Sequence, residues 1–128
     1  MYKGIISADT AVTANTNVPL GLAFNTNTNI LAVGGVVSIL KPGLYEVNVT
    51  ATATGPDDEV SMNILNNGVV IPEDTSPAVP AAATDPSRFV INDTFRVISF
   101  PSSTVRLSVQ FTEAVTVNNL VFTVKRIR

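Results

Sequence analysis

Acidic side chains are the groups of this chain that could do chemistry, because it contains no His and no Cys. Asp57, Asp58 and Glu59 form one cluster, and further carboxylates flank a proline-rich stretch at 73–87. Calcium would need about six to eight oxygen ligands, and the Asp-x-Asp-x-Asp-Gly spacing of a calcium loop is absent. A solvated turn is therefore the favoured interpretation of the cluster, and no metal site is predicted.

The remaining polar residues show no enzymatic arrangement. Glycoside hydrolysis needs two carboxyl groups at a fixed separation, one of them with a pKa raised by burial, and most of the acids stand beside Pro, Gly or another acid, as in turns. Ser102 and Ser103 have no His to activate them, and Lys3, Lys41 and Lys125 belong to no Ser–Lys motif. The sequence predicts neither an enzyme nor a cofactor.

The overall charge is small. Lys and Arg number 8 and Asp and Glu number 10, which gives a net charge of −2 and a pI of 4.9. Nucleic acid binding usually requires a basic face, and a membrane helix requires about 20 consecutive apolar residues, which the chain lacks. We therefore expect no nucleic-acid partner and no membrane partner, and residues 1–6 lack the apolar core of a signal peptide.

Apolar and polar residues alternate along several segments, which is typical of strands with one buried face. The alternation is clearest over residues 45–53 and 105–111. Residues 41–43 and 66–68 carry the Pro-Gly and Asn-Gly pairs of tight turns, and the second pair predicts a hairpin. Turns at intervals of about 8–12 residues predict an all-β protein, a sandwich or a barrel. Residues 73–87, without periodicity, are expected to form an extended surface loop.

Several features in serial order resemble the jelly-roll head of the tumour-necrosis-factor/complement superfamily. The turn Lys41-Pro42-Gly43-Leu44-Tyr45 enters an alternating strand, residues 66–72 read Asn-Asn-Gly-Val-Val-Ile-Pro, and residues 120–128 form an alternating apolar run with a basic tip. Residues 18–26 are similar to the N-terminal strand pair of that family. The resemblance covers residues 18–128 and implies an antiparallel β-sandwich, a jelly roll of about 8–10 strands, that forms a compact homotrimer.

The resemblance also implies a role. It is greatest to bacterial members that cap collagen-like spore-surface glycoproteins, but a collagen-like Gly-x-y stalk is absent. The head is therefore more similar to a capsid-decoration or head-fibre protein of a tailed bacteriophage, located on the virion surface and bound to a capsid or other particle-surface protein. The alternative function is a glycan- or receptor-binding head of the phage-fibre or spore-surface type, located outside the cell or on a spore surface.

The chain has more apolar residues than one sandwich of this length can bury, since 45% of its residues are hydrophobic and its mean hydropathy is +0.33. We expect the surplus to lie in a subunit interface. Val121, on the second face of the last strand, belongs to this surplus. The candidate trimer-interface residues are Tyr45, Val47, Leu65, Leu120, Phe122, Val124 and Ile127.

Two further segments are candidates for binding. Residues 1–17 are expected to form an N-terminal attachment arm, separate from the domain at 18–128, that could add a strand to a neighbouring sheet edge. The arm residues singled out are Tyr2, Ile5 and Ile6. The candidate ligand-loop residues are Glu73, Asp74, Asp85 and Arg88. The basic tip of Lys125, Arg126 and Arg128 is a candidate contact for an acidic partner surface or for a neighbouring subunit.

Overall fold

Alternation of apolar and polar residues produces strands along most of the chain. The computed structural model describes residues 1–55, 59–79, 85–98 and 105–128. The strands within these ranges are β1 (Tyr2–Ile6), β2 (Thr10–Val12), β3 (Gly21–Asn25), β4 (Ile30–Val33), β5 (Val36–Ile39), β6 (Gly43–Thr54), β7 (Val60–Asn66), β8 (Val69–Ala78), β9 (Ser87–Val97), β10 (Val105–Phe111) and β11 (Val115–Arg126). Nowhere in these ranges is there a helix long and apolar enough to cross a lipid bilayer.

The strands form two antiparallel sheets that pack face to face. The front sheet has the order β3-β1-β11-β6-β9, and β2 also pairs with β11. The back sheet has the order β4-β5-β10-β7-β8. Connections such as β5 to β6 and β9 to β10 cross between the sheets, as they do in a jelly roll. The predicted antiparallel β-sandwich is confirmed.

The core lies between the two sheets and is built by alternate residues of each strand. In β6 the odd-numbered residues from Tyr45 to Ala53 are almost fully buried, and residues 120–124 of β11 alternate in the same way. Phe89 and Phe111, from opposite sheets, meet edge to face with ring centroids 5.2 Å apart. Each buried aromatic side chain removes about 150–250 Å² from water, so these rings contribute strongly to the free energy of folding.

The Asn-Gly hairpin predicted from the sequence joins β7 to β8. Asn67 has φ 52° and Gly68 has φ 79°, so both central residues adopt the left-handed conformation of a type I′ turn. The β4–β5 turn likewise needs Gly35, which has φ 83° and whose added Cβ would strike the carbonyl oxygen of Val18. Asn and Gly at these positions set the register of both hairpins.

The structure corrects the boundary predicted for an N-terminal arm, because residues 1–17 contribute strands to the front sheet. β1 lies between β3 and β11, with Tyr2 opposite Val124 and Ile6 opposite Leu120. Tyr2 and Ile6 are only 1% and 6% exposed, while Ile5 points outward and is half-buried. A strand that is already paired on both edges has no free edge to add to a neighbouring sheet.

The surface loop predicted at 73–87 is also corrected. Residues 69–78 form β8, which pairs with β7, and Ser87 already begins β9. β8 is an edge strand, and an edge strand tolerates Pro72 and Pro77 where a central strand would not, because a missing N–H on the open edge breaks no ladder bond. Residues 80–84 of the predicted loop lie outside the described residues.

Candidate interaction surfaces

Five of the seven predicted interface residues lie inside the sandwich. Tyr45, Val47, Leu120, Phe122 and Val124 face the opposite sheet and are at most 1% exposed. Leu65 is covered as well, at 3% exposed, and Ile127 alone is exposed. A side chain without accessible surface in one chain has none to bury against a partner, so the structure corrects this assignment to the core.

The outward face of the front sheet carries a continuous row of mainly apolar side chains, which we call the central row. Ile5 on β1 stands opposite Val121 on β11, Val121 stands opposite Thr50 on β6, and Thr50 stands opposite Val90 on β9. The first three are half-buried, and Val90 is exposed. Cross-strand neighbours of this kind have Cβ atoms about 5 Å apart, so the four side chains form one apolar strip.

Polar residues flank the central row, and each flanking row includes one basic residue, Lys3 on β1 on one side and Arg88 on β9 on the other. On one side Thr123, Asn48 and Asn92 stand opposite one another on β11, β6 and β9, and the amide of Asn48 donates to Oε1 of Glu46 at 2.9 Å. Lys3 opposite Thr123 closes this flanking row at β1. The centre of the front face is thus low in charge, which is typical of the core of a subunit interface.

The outward face of the back sheet is different. Its exposed apolar residues lie on the two edge strands, Leu31 and Val33 on β4 and Val69 and Val70 on β8. Between them β10 presents the exposed Arg106 and the half-buried Gln110. The apolar surface of this face is therefore divided, whereas that of the front face is continuous.

The four predicted ligand-loop residues do not converge on one site. Glu73 is exposed on β8, and Arg88 is exposed on β9 opposite Thr52 of the front sheet. Asp85 is exposed before β9 begins. Asp74 points inward and is only 3% exposed, so it is not available to a ligand.

An acid pair at the junction of the two sheets, the buried Asp74 and the half-buried Asp93, was not expected from the sequence. Asp74 on edge strand β8 shares a hydrogen bond with Asp93 on edge strand β9. Burial, that hydrogen bond and the negative charges of Asp93 and Glu73 raise the pKa of Asp74 from 3.8 to about 7. The signal in the sequence is weak, because Asp74 follows another acid, as a solvated turn residue commonly does.

Hydrolytic or metal chemistry finds no support in this pair. Asp74 has almost no accessible surface through which a substrate could reach it. Among residues 1–55, 59–79, 85–98 and 105–128 there is no group of three or more acidic side chains that could hold a metal ion. The pair is therefore an electrostatic feature of the fold, with consequences for its stability.

Comparison with known proteins gives a clear result for structure and none for sequence. No protein-family model matches the chain, and no curated protein is similar to it in sequence. Among solved structures, murine APRIL superposes with a TM-score of 0.70 at 12% identity, over 97% of this chain and 98% of that one. The globular domain of zebrafish complement 1qA gives 0.71 at 9% identity over 99% and 96%. Eiger TNF from S. frugiperda gives 0.73 at 10% identity over 99% and 93%.

The chain has the jelly-roll fold of tumour-necrosis-factor and C1q domains. The likeness extends over 97–99% of its length. Most of residues 1–17 are therefore part of the matched region. β1 and β2 therefore belong to the shared jelly roll. Identities of 9–12% show the fold alone, so the function is argued below from the surface of this chain.

Proposed function

We propose that this chain is a non-enzymatic structural module that assembles into a homotrimer through the outward face of its front sheet. The observation that carries the proposal is the central row, in which Ile5, Val121, Thr50 and Val90 stand in register across four adjacent strands. Exposed apolar surface that is continuous on a sheet face marks an interface. The subunit number comes from the resemblance of the sequence to a family of compact homotrimers, and the jelly-roll fold is consistent with it.

The front face is large enough for a stable interface. β6, β9 and β11 are 11 or 12 residues long and β1 and β3 are 5 residues long, so at about 4.8 Å between strands the front face is roughly 20 Å wide and about 40 Å long at its three longer strands. A standard interface buries about 800 Å² per partner, so the front face together with a neighbouring edge supplies that area. The exposed side chains of Leu22 and Phe24 on β3, the edge strand of the same sheet, extend the apolar surface toward a second subunit.

Arginine in place of Val121 is expected to convert the trimer into monomers without unfolding the chain. The side chain points outward from the middle of the central row, so the substitution leaves the core intact and adds three like charges near one symmetry axis. Light scattering behind a sizing column measures the solution mass, which should fall to about one-third. Circular dichroism should show unchanged strand content.

Val36→Arg is the matched control, because Val36 is half-buried and points outward from β5 of the back sheet. The same change of residue type there should leave the mass at three subunits. If the unmodified chain is itself a monomer, or if Val36→Arg dissociates the assembly while Val121→Arg does not, the front-face trimer is wrong.

The proposal extends to location. We infer that the trimer decorates the surface of a particle, as a capsid-decoration or head-fibre protein of a bacteriophage, because the sequence resembles a family of trimeric surface heads. Immunogold electron microscopy of particles from the source, with antibodies against this chain, should place gold on the capsid. Unlabelled particles together with strong hits on a glycan array would favour the alternative, a glycan- or receptor-binding head.

A further inference from the structure

The charged side chains are separated along the length of the sandwich. At one end β5, β9 and β11 finish while β6 and β10 begin, and we call this the basic end. Of the 8 basic residues of the chain, all but Lys3 and Arg88 lie there. The six are Lys41, Arg96, Arg106, Lys125, Arg126 and Arg128. Among the described residues, Glu46, opposite Lys125 on the neighbouring strand, is the one carboxylate in register with them.

The opposite end, where β6 and β10 finish and β7, β9 and β11 begin, carries acids. Asp9, Glu59, Asp85 and Glu113 are exposed there, and Arg88 is the one basic side chain near them in the described part of the chain. The net charge of −2 therefore conceals a strong separation of charge between two ends of one small domain. Such a separation orients the domain in the field of a charged partner before contact.

The basic end includes the turn that precedes β6, where Arg126 and Tyr45 make hydrogen bonds to the backbone. The guanidinium of Arg126 donates from Nη2 to the carbonyl oxygen of Pro42 at 3.2 Å, and its Nε is buried without a hydrogen-bond partner. A Cβ added to Gly43 would lie 2.6 Å from that Nε, so the guanidinium packs directly on the glycine backbone. The hydroxyl of Tyr45 donates to the carbonyl oxygen of Lys41 at 2.7 Å. These contacts fix the position of the Arg126 side chain at the basic end, and its charge adds to the cations around it.

We propose that the basic end docks on a carboxylate-rich surface of a protein partner, with the acidic end turned away from it. The cations stand on the tips of several strands and form a patch, which fits a surface with discrete acidic side chains. Nucleic acid is the less suitable partner, because nucleic-acid-binding domains are usually basic overall and this chain has a net charge of −2. Lys125 and Arg96 lie on the same outward side of the front sheet as the central row, whereas Lys41 and Arg106 lie off it, so these last two carry the part of the docking surface that is independent of the trimer.

The test uses a fluorescein-labelled poly-L-glutamate peptide as the probe, with binding followed by fluorescence anisotropy. The end variant Lys41→Gln/Arg106→Gln changes the net charge by −1 at each site, −2 in total. The control variant Arg88→Glu also changes it by −2, at the other end. We expect the unmodified chain to bind the probe more weakly as salt rises, the end variant to bind about tenfold more weakly, and the control to change by less than about twofold.

Four results would overturn the proposal. They are absence of binding by the unmodified chain, equal weakening in both variants, tighter binding of heparin or single-stranded DNA than of poly-L-glutamate, and growth of the unmodified protein into larger species at low salt. The last would show that the basic end receives the acidic end of a second copy. Lys41 and Arg106 lie off the outward face of the front sheet, so the end variant should keep the solution mass of the unmodified protein. Measuring that mass in the same sample separates a loss of docking from a loss of the trimer.

Discussion

Asparagine in place of Asp74 is expected to stabilise the folded chain at pH 8 by about 3 kcal/mol. At pH 8 the native protein must hold an ionised Asp74 that is 3% exposed and stands beside Asp93 and Glu73. Asparagine removes that buried charge and retains an N–H that can donate to Asp93. The gain is large because the net stability of a domain is only about 5–15 kcal/mol.

The sign of the pH dependence follows from the direction of the shift. The pKa of Asp74 is raised from 3.8 in the unfolded chain to about 7 in the folded one. Below about pH 4 both states are protonated and this group contributes no dependence on pH. Between about pH 4 and pH 7 the unfolded state releases its proton while the folded state keeps it, so the stability falls as the pH rises. Above about pH 7 the folded chain has lost the whole of this contribution to its stability.

Urea unfolding at pH 3.5, 5.5 and 8, at one chain concentration, measures the effect as the difference between the variant and the unmodified protein. That difference should be near zero at the lowest pH and largest at the highest. Glu73→Gln is the matched control, because Glu73 is the exposed neighbour of Asp74 on the same strand. This variant should change the dependence of the free energy of unfolding on pH only a little. A difference that is independent of pH would contradict a buried, proton-sharing pair.

The position of this acid pair shows what the sequence could and could not reveal. Alternation along β6 predicted a strand with one buried face, and the buried residues are indeed 45, 47, 49, 51 and 53. The sequence does not show which strand of the other sheet lies opposite each residue. Asp74 and Asp93 are 19 positions apart and meet only because the edges of the two sheets, β8 and β9, close the sandwich on that side.

The interface assignment failed for a related reason. Alternation gives every strand two faces, and the choice of the face turned to the other sheet depends on the space to be filled. In β11 the larger side chains, Leu120 and Phe122, fill the gap between the sheets, while Val121 and Thr123 turn outward. Val121 was correctly placed on the second face of this strand, and the register across β1, β6 and β9 then reveals the row to which it belongs.

The sequence predicts β8 only over its first residues, 69–71, and β1 only as a weak strand near Ile5, because the patterns of both strands are incomplete. β8 contains two prolines and buries few side chains, as an edge strand can. β1 buries Tyr2, Gly4 and Ile6, so the middle position of its inward face is a glycine and the apolar alternation is interrupted. The glycine makes room for the Tyr2 ring, because an added Cβ would strike the hydroxyl of Tyr2 unless that side chain moved. Because the packing of Tyr2 favours a glycine at position 4, β1 lacks the apolar residue that would have completed its alternation.

Replacement of Tyr2 by alanine is expected to destabilise the chain by about 3–5 kcal/mol, which corresponds to a fall in Tm of roughly 10–20 °C. The Tyr2 ring is 1% exposed and stands edge-on to Phe122, with ring centroids 6.2 Å apart and ring planes at 74°. Its loss would leave a cavity beneath β1, between two paired strands that hold the backbone in place and limit collapse.

Lys3→Ala serves as the control, because Lys3 is the next residue of the same strand and points away from the core. It should change the free energy of unfolding by less than about 0.5 kcal/mol. Differential scanning calorimetry at one chain concentration measures both variants, and light scattering should show that Tyr2→Ala leaves the subunit number unchanged. An N-terminal arm outside the domain would give the same Tm for both variants and for the unmodified chain. A large fall confined to Tyr2→Ala would show instead that the first strand is part of the folding unit, so that attachment to a partner must use a surface of the completed sandwich.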